Sequence, residues 1–231
     1  MALHVMLMGP PQAGKGTQAQ TLANRFGLLH LATGDLLRDI SQEDTDRGRL
    51  VGELLQRGDY VPDDLVTQLV AERTGDHGVV LDGFPRTIAQ AESLDRLGIP
   101  VHTVLVLAVP AKELIARAQD RLFCSNCSAI YAMRTNPPRV PWICDVCGHG
   151  LAQRMDDAPA TVRRRLQVYK QRSEPVVRFY ERRGLVQRID GIGPIDTVAA
   201  ALADATARVM DRVCPAAPSA LPLAEGSAQV R

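Results

Sequence analysis

Residues 9–17 read GPPQAGKGT, and their surroundings decide the fold. The apolar stretch Val5-Met6-Leu7-Met8 precedes them, and a helical pattern follows at 18–26. Strand, glycine-rich loop and helix in that order give a phosphate-binding loop its structural context. Gly9 turns the chain out of the strand, while Gly14 and Gly16 remove side chains where backbone must approach an anion closely. The loop's N–H groups then point inward, and the positive end of the new helix adds to them. Lys15 brings a mobile charge to the outer phosphates, and Thr17 is placed to offer a hydroxyl to magnesium. Gly16 stands between Lys15 and Thr17, so the pattern G-x-x-x-x-G-K-[ST] is missed by one position.

Working outward, strand-like apolar segments fall at 4–8, 28–31, 78–81, 103–107 and 185–189. Helical patterns fall near 17–26, 35–41, 49–57, 63–74, 87–97, 111–122, 160–183 and 196–213. Strands alternating with helices imply an α/β fold, a parallel sheet covered on both faces. Active groups then gather at the C-terminal ends of the strands, where the loop at Gly9, Thr33 and Asp82 all lie.

A chain of 231 residues is long enough for one main domain with insertions. Its formal charge of +1 and its 4% aromatic content argue against a nucleic-acid surface, whether electrostatic or stacking. The longest apolar run, 104–109, is far too short to span a membrane, and no basic, cleavable leader precedes the first strand. A cytoplasmic protein is expected.

Residues 31–61 suggest a small helical insertion between the second and third strands, with Thr33 as an N-cap. From this segment alone Arg38 reads equally well as a solvated charge. In VVLDGFPRTIAQ at 79–90, an apolar strand ends at Asp82 and is broken by Gly83 and Pro85, with Arg86 in the loop and Gln90 one turn into the next helix. An acid at a strand end facing a phosphate loop can hold a magnesium-bound water, or it can serve as a turn former.

The stretch 120–157 lacks helical periodicity and contains Cys124, Cys127, Cys144 and Cys147 as two C-x-x-C pairs sixteen residues apart. That spacing is a strong zinc signal, and four thiolates leave no position open for substrate, so the metal is structural. Arg121, Arg134, Arg139 and Arg154 balance Asp120, Asp145, Asp156 and Asp157, which makes a poor nucleic-acid surface. The fifth cysteine, Cys214, opens a Pro- and Ala-rich tail expected to be disordered. Arg163, Arg164 and Arg165 are consecutive, so they cannot share one helical face.

These motifs together resemble adenylate kinases of the long-lid, zinc-containing bacterial type, within the nucleoside monophosphate kinase family. The resemblance rests on GPPQAGKGT, ATGDLLR, LDGFPRT with Gln90, both C-x-x-C pairs, NPP at 136–138, RMDD at 154–157 and IDG at 189–191, in order over residues 1 to about 213. It implies a P-loop-type five-stranded parallel core (1–31, 62–119 and 158–213), a helical monophosphate-binding domain (32–61) and a zinc-ribbon-like lid (120–157). It also implies a monomer that moves the terminal phosphoryl group of MgATP to AMP, giving two ADP. Carried over by position, Gln12, Ala13, Gly14, Lys15, Gly16, Thr17, Arg117, Arg121, Ile130, Tyr131 and Gly193 would meet ATP. Thr33, Arg38, Asp59, Tyr60, Val61, Gly83, Phe84, Pro85, Arg86, Gln90, Arg154 and Arg165 would meet AMP. Lys15, Arg86, Arg121, Arg154 and Arg165 would carry the chemistry, Thr17 and Asp82 would hold magnesium through water, and the four cysteines would hold zinc.

Alternatives are a UMP- or CMP-type kinase, whose members usually carry Asn where Thr87 stands and have a short lid without cysteines, or a zinc-ribbon nucleotide-binding regulator with little turnover. The chain departs from the family pattern at Gln12 (usually Gly), at Asp120 and Leu122 (usually Gly and a second Arg) and at Ala132 (usually His). Gln12 strains the loop if its position needs positive φ. Weaker ATP binding or slower turnover is the expectation.

Overall fold

A computed structural model describes residues 2–57, 61–127, 129–153 and 157–213. Asp59, Tyr60, Arg154 and the tail with Cys214 lie outside the described residues. The core begins with strand β1 (His4–Met8), helix α1 (Lys15–Phe26) and strand β2 (Leu29–Ala32). Helices α2 (Thr33–Ser41), α3 (Asp46–Arg57) and α4 (Asp63–Thr74) follow, then β3 (Val79–Asp82), α5 (Ile88–Arg96), β4 (Thr103–Ala108) and α6 (Ala111–Asp120). Three short strands come next: β5 (Arg121–Cys124), β6 (Ile130–Ala132) and β7 (Leu151–Ala152). The chain closes with α7 (Pro159–Arg172), α8 (Glu174–Glu181), β8 (Val186–Asp190) and α9 (Ile195–Val213).

The five core strands form one parallel sheet in the order β2-β3-β1-β4-β8. β1 is central and every residue in it is buried, as a strand covered on both faces must be. Its side chains alternate between two cores with the strand period of two. Met6 and Met8 join Leu81, Val104, Val106 and Tyr180 on one face. Val5 and Leu7 join Leu22, Val80, Leu105, Leu107 and Leu202 on the other. From β1 the chain crosses to the far edge at β2, and from β3 it returns to β4 on the other side of β1. The loop after β1 therefore opens at the point where strand order reverses, the crevice such sheets use for ligands.

The second sheet is antiparallel, in the order β6-β5-β7. Its apolar core among the described residues is Leu122, Cys124, Tyr131, Cys144 and Leu151. So small a cluster cannot stabilise a unit of this size by burial alone.

Three local expectations are corrected. The helix expected at 160–183 is two helices, broken at Ser173, because Pro175 has no N–H to continue the ladder and instead occupies the first turn of α8. Thr33 is the first residue of α2 rather than its cap, and Ala32 precedes it with no capping side chain. The Thr33 hydroxyl instead donates across to the Gly83 carbonyl at 3.4 Å. The helix expected to run to 122 ends at Asp120, where Arg121 turns extended and starts β5.

Candidate active site

The phosphate loop starts where Gly9 leaves β1 with φ +146°, and a Cβ there would lie 3.0 Å from the Leu107 carbonyl oxygen and 3.2 Å from the Leu107 Cβ. Gly14 sits at the N-cap of α1 with φ +90°. No side chain caps α1, and no acidic residue lies in its first turn, so its orphan N–H groups and positive end face the loop's concavity. The loop therefore presents an anion site built from backbone.

Lys15 is half-buried as a residue, but its ammonium group is enclosed and donates to the carbonyls of Gly9 at 2.9 Å and Pro10 at 3.0 Å. Its pKa is lowered to about 8, first by burial. Asp82 opposes that shift, while Arg86, Arg165 and Arg121 add to it by repulsion. That set of influences puts four of the expected cations in one field around the loop. Arg163 and Arg164 are exposed while Arg165 is half-buried, the split that helical geometry requires.

Asp82 ends β3 and approaches His30 Nε2 at 3.6 Å. The other ring nitrogen of His30 meets Gln20 Oε1 at 3.2 Å. His30, the second residue of β2, is not singled out by any sequence motif, and its approach to Asp82 is seen only once β2 pairs with β3. A Cβ on Gly16 would lie 3.6 Å from Asp82 Oδ2, so the acid closes on the first turn of α1 beside Thr17.

At the other rim, Gly83 adopts φ +74°, and its carbonyl accepts from Arg86 Nε at 2.7 Å. Phe84 is buried below, and the Phe84–Pro85 bond is cis. Gln90 is buried, with Oε1 accepting from the Arg86 N–H and Nε2 donating to Asp63 Oδ1, both at 2.7 Å. Thr87 caps α5 and donates its own hydrogen to Asp63 Oδ2 at 2.7 Å. Asp63 is thus a further residue that organises this wall, invisible in sequence because its partners lie 24 and 27 residues away. Val61 packs into the core beside α4. Arg38 does not join the cations, being exposed and ion-paired with Asp35 one turn earlier.

On the side of the second sheet, Arg121 forms a two-pronged pair with Asp157, from Nε at 2.9 Å and from the terminal nitrogen at 2.6 Å. Arg117 donates to Glu113 at 2.9 Å and to the Gly191 carbonyl at 2.8 Å, placing it beside the loop that carries Gly193. Ile130 is exposed, but Tyr131 is buried, with its hydroxyl accepting from the Asp145 N–H at 2.8 Å and meeting Cys144 Sγ at 3.6 Å. The Tyr131 side chain therefore serves the small core of the second sheet. Leu122 does likewise, because alternation along β5 turns it to the opposite face from Arg121. Asp120 pins a turn by accepting from Arg134, at 3.1 Å from its N–H and at 3.3 Å from Nε.

The sulfur atoms of Cys124, Cys127, Cys144 and Cys147 all lie within 4.8 Å of one another, with separations of 3.4 and 3.5 Å between neighbours. Four thiolates around tetrahedral zinc at ~2.3 Å stand about 3.8 Å apart, so the set fits that ion. A cavity of about 610 Å³ beside Pro10, lined by Tyr169, Arg178, Arg188 and Asp190 among others, contains none of the four cations gathered near the loop.

The family model described as adenylate kinase matches residues 7–185. Curated adenylate kinases are similar over most of the chain. That of Carboxydothermus hydrogenoformans is 41% identical, covering 88% of this chain and 99% of its own. Those of Moorella thermoacetica and Symbiobacterium thermophilum are each 42% identical, covering 89% and 88% of this chain and 99% and 98% of their own.

Proposed function

The chain belongs to the adenylate kinase family, and on that premise we propose how its residues carry the transfer of the terminal phosphoryl group of MgATP to AMP, giving two ADP. The observation that carries the reading is the convergence of Lys15, Arg86, Arg121 and Arg165 on a backbone anion site at the sheet's switch point.

In-line phosphoryl transfer leaves little covalent work for a protein, so positioning and charge dominate. The loop from Gln12 to Thr17 holds the ATP phosphates through its N–H groups, and Lys15 leaves the Gly9 and Pro10 carbonyls to follow the transferred group. Arg86, Arg121 and Arg165, with Arg154, offset the repulsion between two polyphosphates. Thr17 and Asp82 would hold the water shell of the magnesium that accompanies ATP, an ion that would offset phosphate charge. Arg117 and Gly193 border the ATP base, and Ile130 contacts ATP from the lid.

Thr33, Val61, Gly83 to Arg86 and Gln90 form the AMP wall, with Arg38 released from Asp35 to reach the AMP phosphate and Asp59 and Tyr60 completing it. The Gln90 amide keeps one donor and one acceptor unspent after bonding Asp63 and Arg86, which suits the adenine edge. In this reading 32–61 is the monophosphate-binding domain and 120–157 the lid, whose four cysteines hold a structural zinc. That ion would tie the lid's small core together. A closing lid keeps water from the reacting phosphates.

The chain is further read as a cytoplasmic monomer without nucleic-acid or membrane partners. No helix among the described residues is long and apolar enough to cross a membrane. The test is ADP formation from MgATP with AMP, UMP, CMP and GMP in parallel. Turnover with AMP far above the others is expected. Preference for UMP or CMP would overturn the acceptor assignment, and no turnover with any acceptor by a folded, metal-loaded protein would favour a regulator.

A further inference from the structure

The side chain of Gln12 forms a link that the sequence pattern gives no reason to expect. Its backbone is left-handed, φ +71°, a conformation glycine adopts freely and glutamine does not. Despite that strain, Gln12 Nε2 donates to Asp157 Oδ1 at 2.7 Å, across 145 residues of sequence. The same carboxylate oxygen accepts from Arg121 at 2.6 Å, and Oδ2 accepts from Arg121 Nε at 2.9 Å. Asp157 is 4% exposed and the Arg121 side chain 16%, so the charged pair is largely shielded from water, with the half-buried Gln12 at its edge. Arg121 is close enough to act electrostatically on Lys15, and its partner Asp157 is bonded to Gln12 of the phosphate loop, so the guanidinium lies beside that loop.

We propose that Gln12 is a positioning residue for phosphoryl transfer: through Asp157 its amide fixes the direction of the Arg121 guanidinium toward the nucleotide phosphates, so the phosphate loop itself sets the lid's arginine. The physical basis is the torsional freedom of a carboxylate. Arg121 alone can turn together with Asp157 as a rigid planar pair, because two parallel bonds fix the partners to each other but not to the core. A third bond from the loop removes that rotation. Misplacing a charged group by about 1 Å can cost about a hundredfold in rate. The inference rests on Arg121 acting at the ATP phosphates. It concerns only the Gln12 side chain, whereas the loop's own grip on phosphate comes from backbone.

Gln12→Asn tests it. Asn tolerates positive φ better than Gln, so strain falls, but its amide is one methylene too short to reach Asp157. Gln12→Gly removes both strain and link. Both variants should lose about tenfold in kcat/KM for ATP, the size of one hydrogen bond to a charged group, with KM for AMP within about twofold of the parent. In an Asp157→Asn background the Gln12→Asn change should alter kcat/KM by less than about twofold, because the path to Arg121 is already broken. Thermal midpoints at or above the parent's would exclude a folding defect as the cause of the loss. Equal or higher activity in Gln12→Asn and Gln12→Gly would overturn the link and leave strain as the only effect of Gln12. So would an undiminished loss in the Asp157→Asn background. A parent chain that makes no ADP from MgATP and AMP would remove the premise, an outcome distinct from an active parent with indifferent variants.

Discussion

Raising the pH through 8 should weaken ATP binding, and the cause is the Lys15 ammonium group. Burial, reinforced by Arg86, Arg165 and Arg121, lowers its pKa from 10.5 to about 8 despite Asp82. The charged form is thus disfavoured in the ligand-free fold by about 3 kcal/mol relative to the unfolded chain. This penalty is fully present below pH 8 and fades as pH rises from 8 toward 10.5, so this group makes the free fold gain stability across that window. A bound triphosphate has the opposite effect: negative oxygens beside Lys15 restore the proton. At pH 8 about half of the free protein lacks it, so binding should take up about 0.5 proton, against about 0.1 at pH 7. Apparent affinity should fall about tenfold between pH 7 and 9. The assay is titration calorimetry with a non-hydrolysable ATP analogue and magnesium, run at pH 8 in two buffers of different ionisation enthalpy. The observed heat should depend on the buffer for the parent and not for Lys15→Arg, whose cation does not titrate there. Buffer-independent heat for the parent would refute the assignment of a displaced proton to Lys15.

Three further outcomes follow from the same contacts. Removing metal with a chelator under reducing conditions, or Cys144→Ser, should unfold the lid before the core, since its apolar cluster is only five buried residues; emission of the single tryptophan, Trp142, reports it, and an unchanged lid would mean the cysteines hold no stabilising ion. Gly9→Ala should cost about 2–4 kcal/mol in urea unfolding, combining left-handed strain with contact on Leu107, whereas Gly14→Ala, with nothing within 4 Å of its Cβ, should cost about 1 kcal/mol; equal costs would contradict the close approach of strand to loop. Thr87→Ala should lose about 1–2 kcal/mol by removing both the α5 cap and the bond to Asp63, and should raise KM for AMP more than KM for ATP because Asp63 then anchors Gln90 alone; an unaltered KM for AMP would separate Gln90 from the AMP wall.

Sequence by itself determined the parallel α/β core, the loop at its switch point and the four-cysteine cluster. Each of these is a local code: apolar runs of strand length, glycines beside Lys15, and paired cysteines whose spacing reads directly as metal geometry. The strain at Gln12 was expected only through the family resemblance, which marks the position as one usually held by glycine. Tertiary structure alone decided what the side chains at those positions touch. The Asp63–Thr87–Gln90 and Gln12–Asp157–Arg121 networks join residues from 24 to 145 positions apart, and no periodicity encodes such distances. Tyr131 and Leu122 turned inward because a strand's alternation, fixed by pairing with neighbouring strands, assigns faces that motif position cannot. The end of α6 at Asp120 was likewise set by strand pairing that competes with helical propensity, whereas the break at Ser173 is local and follows from Pro175. Chemistry was legible where it depends on residue type, and hidden where it depends on which distant group a side chain meets in the folded core.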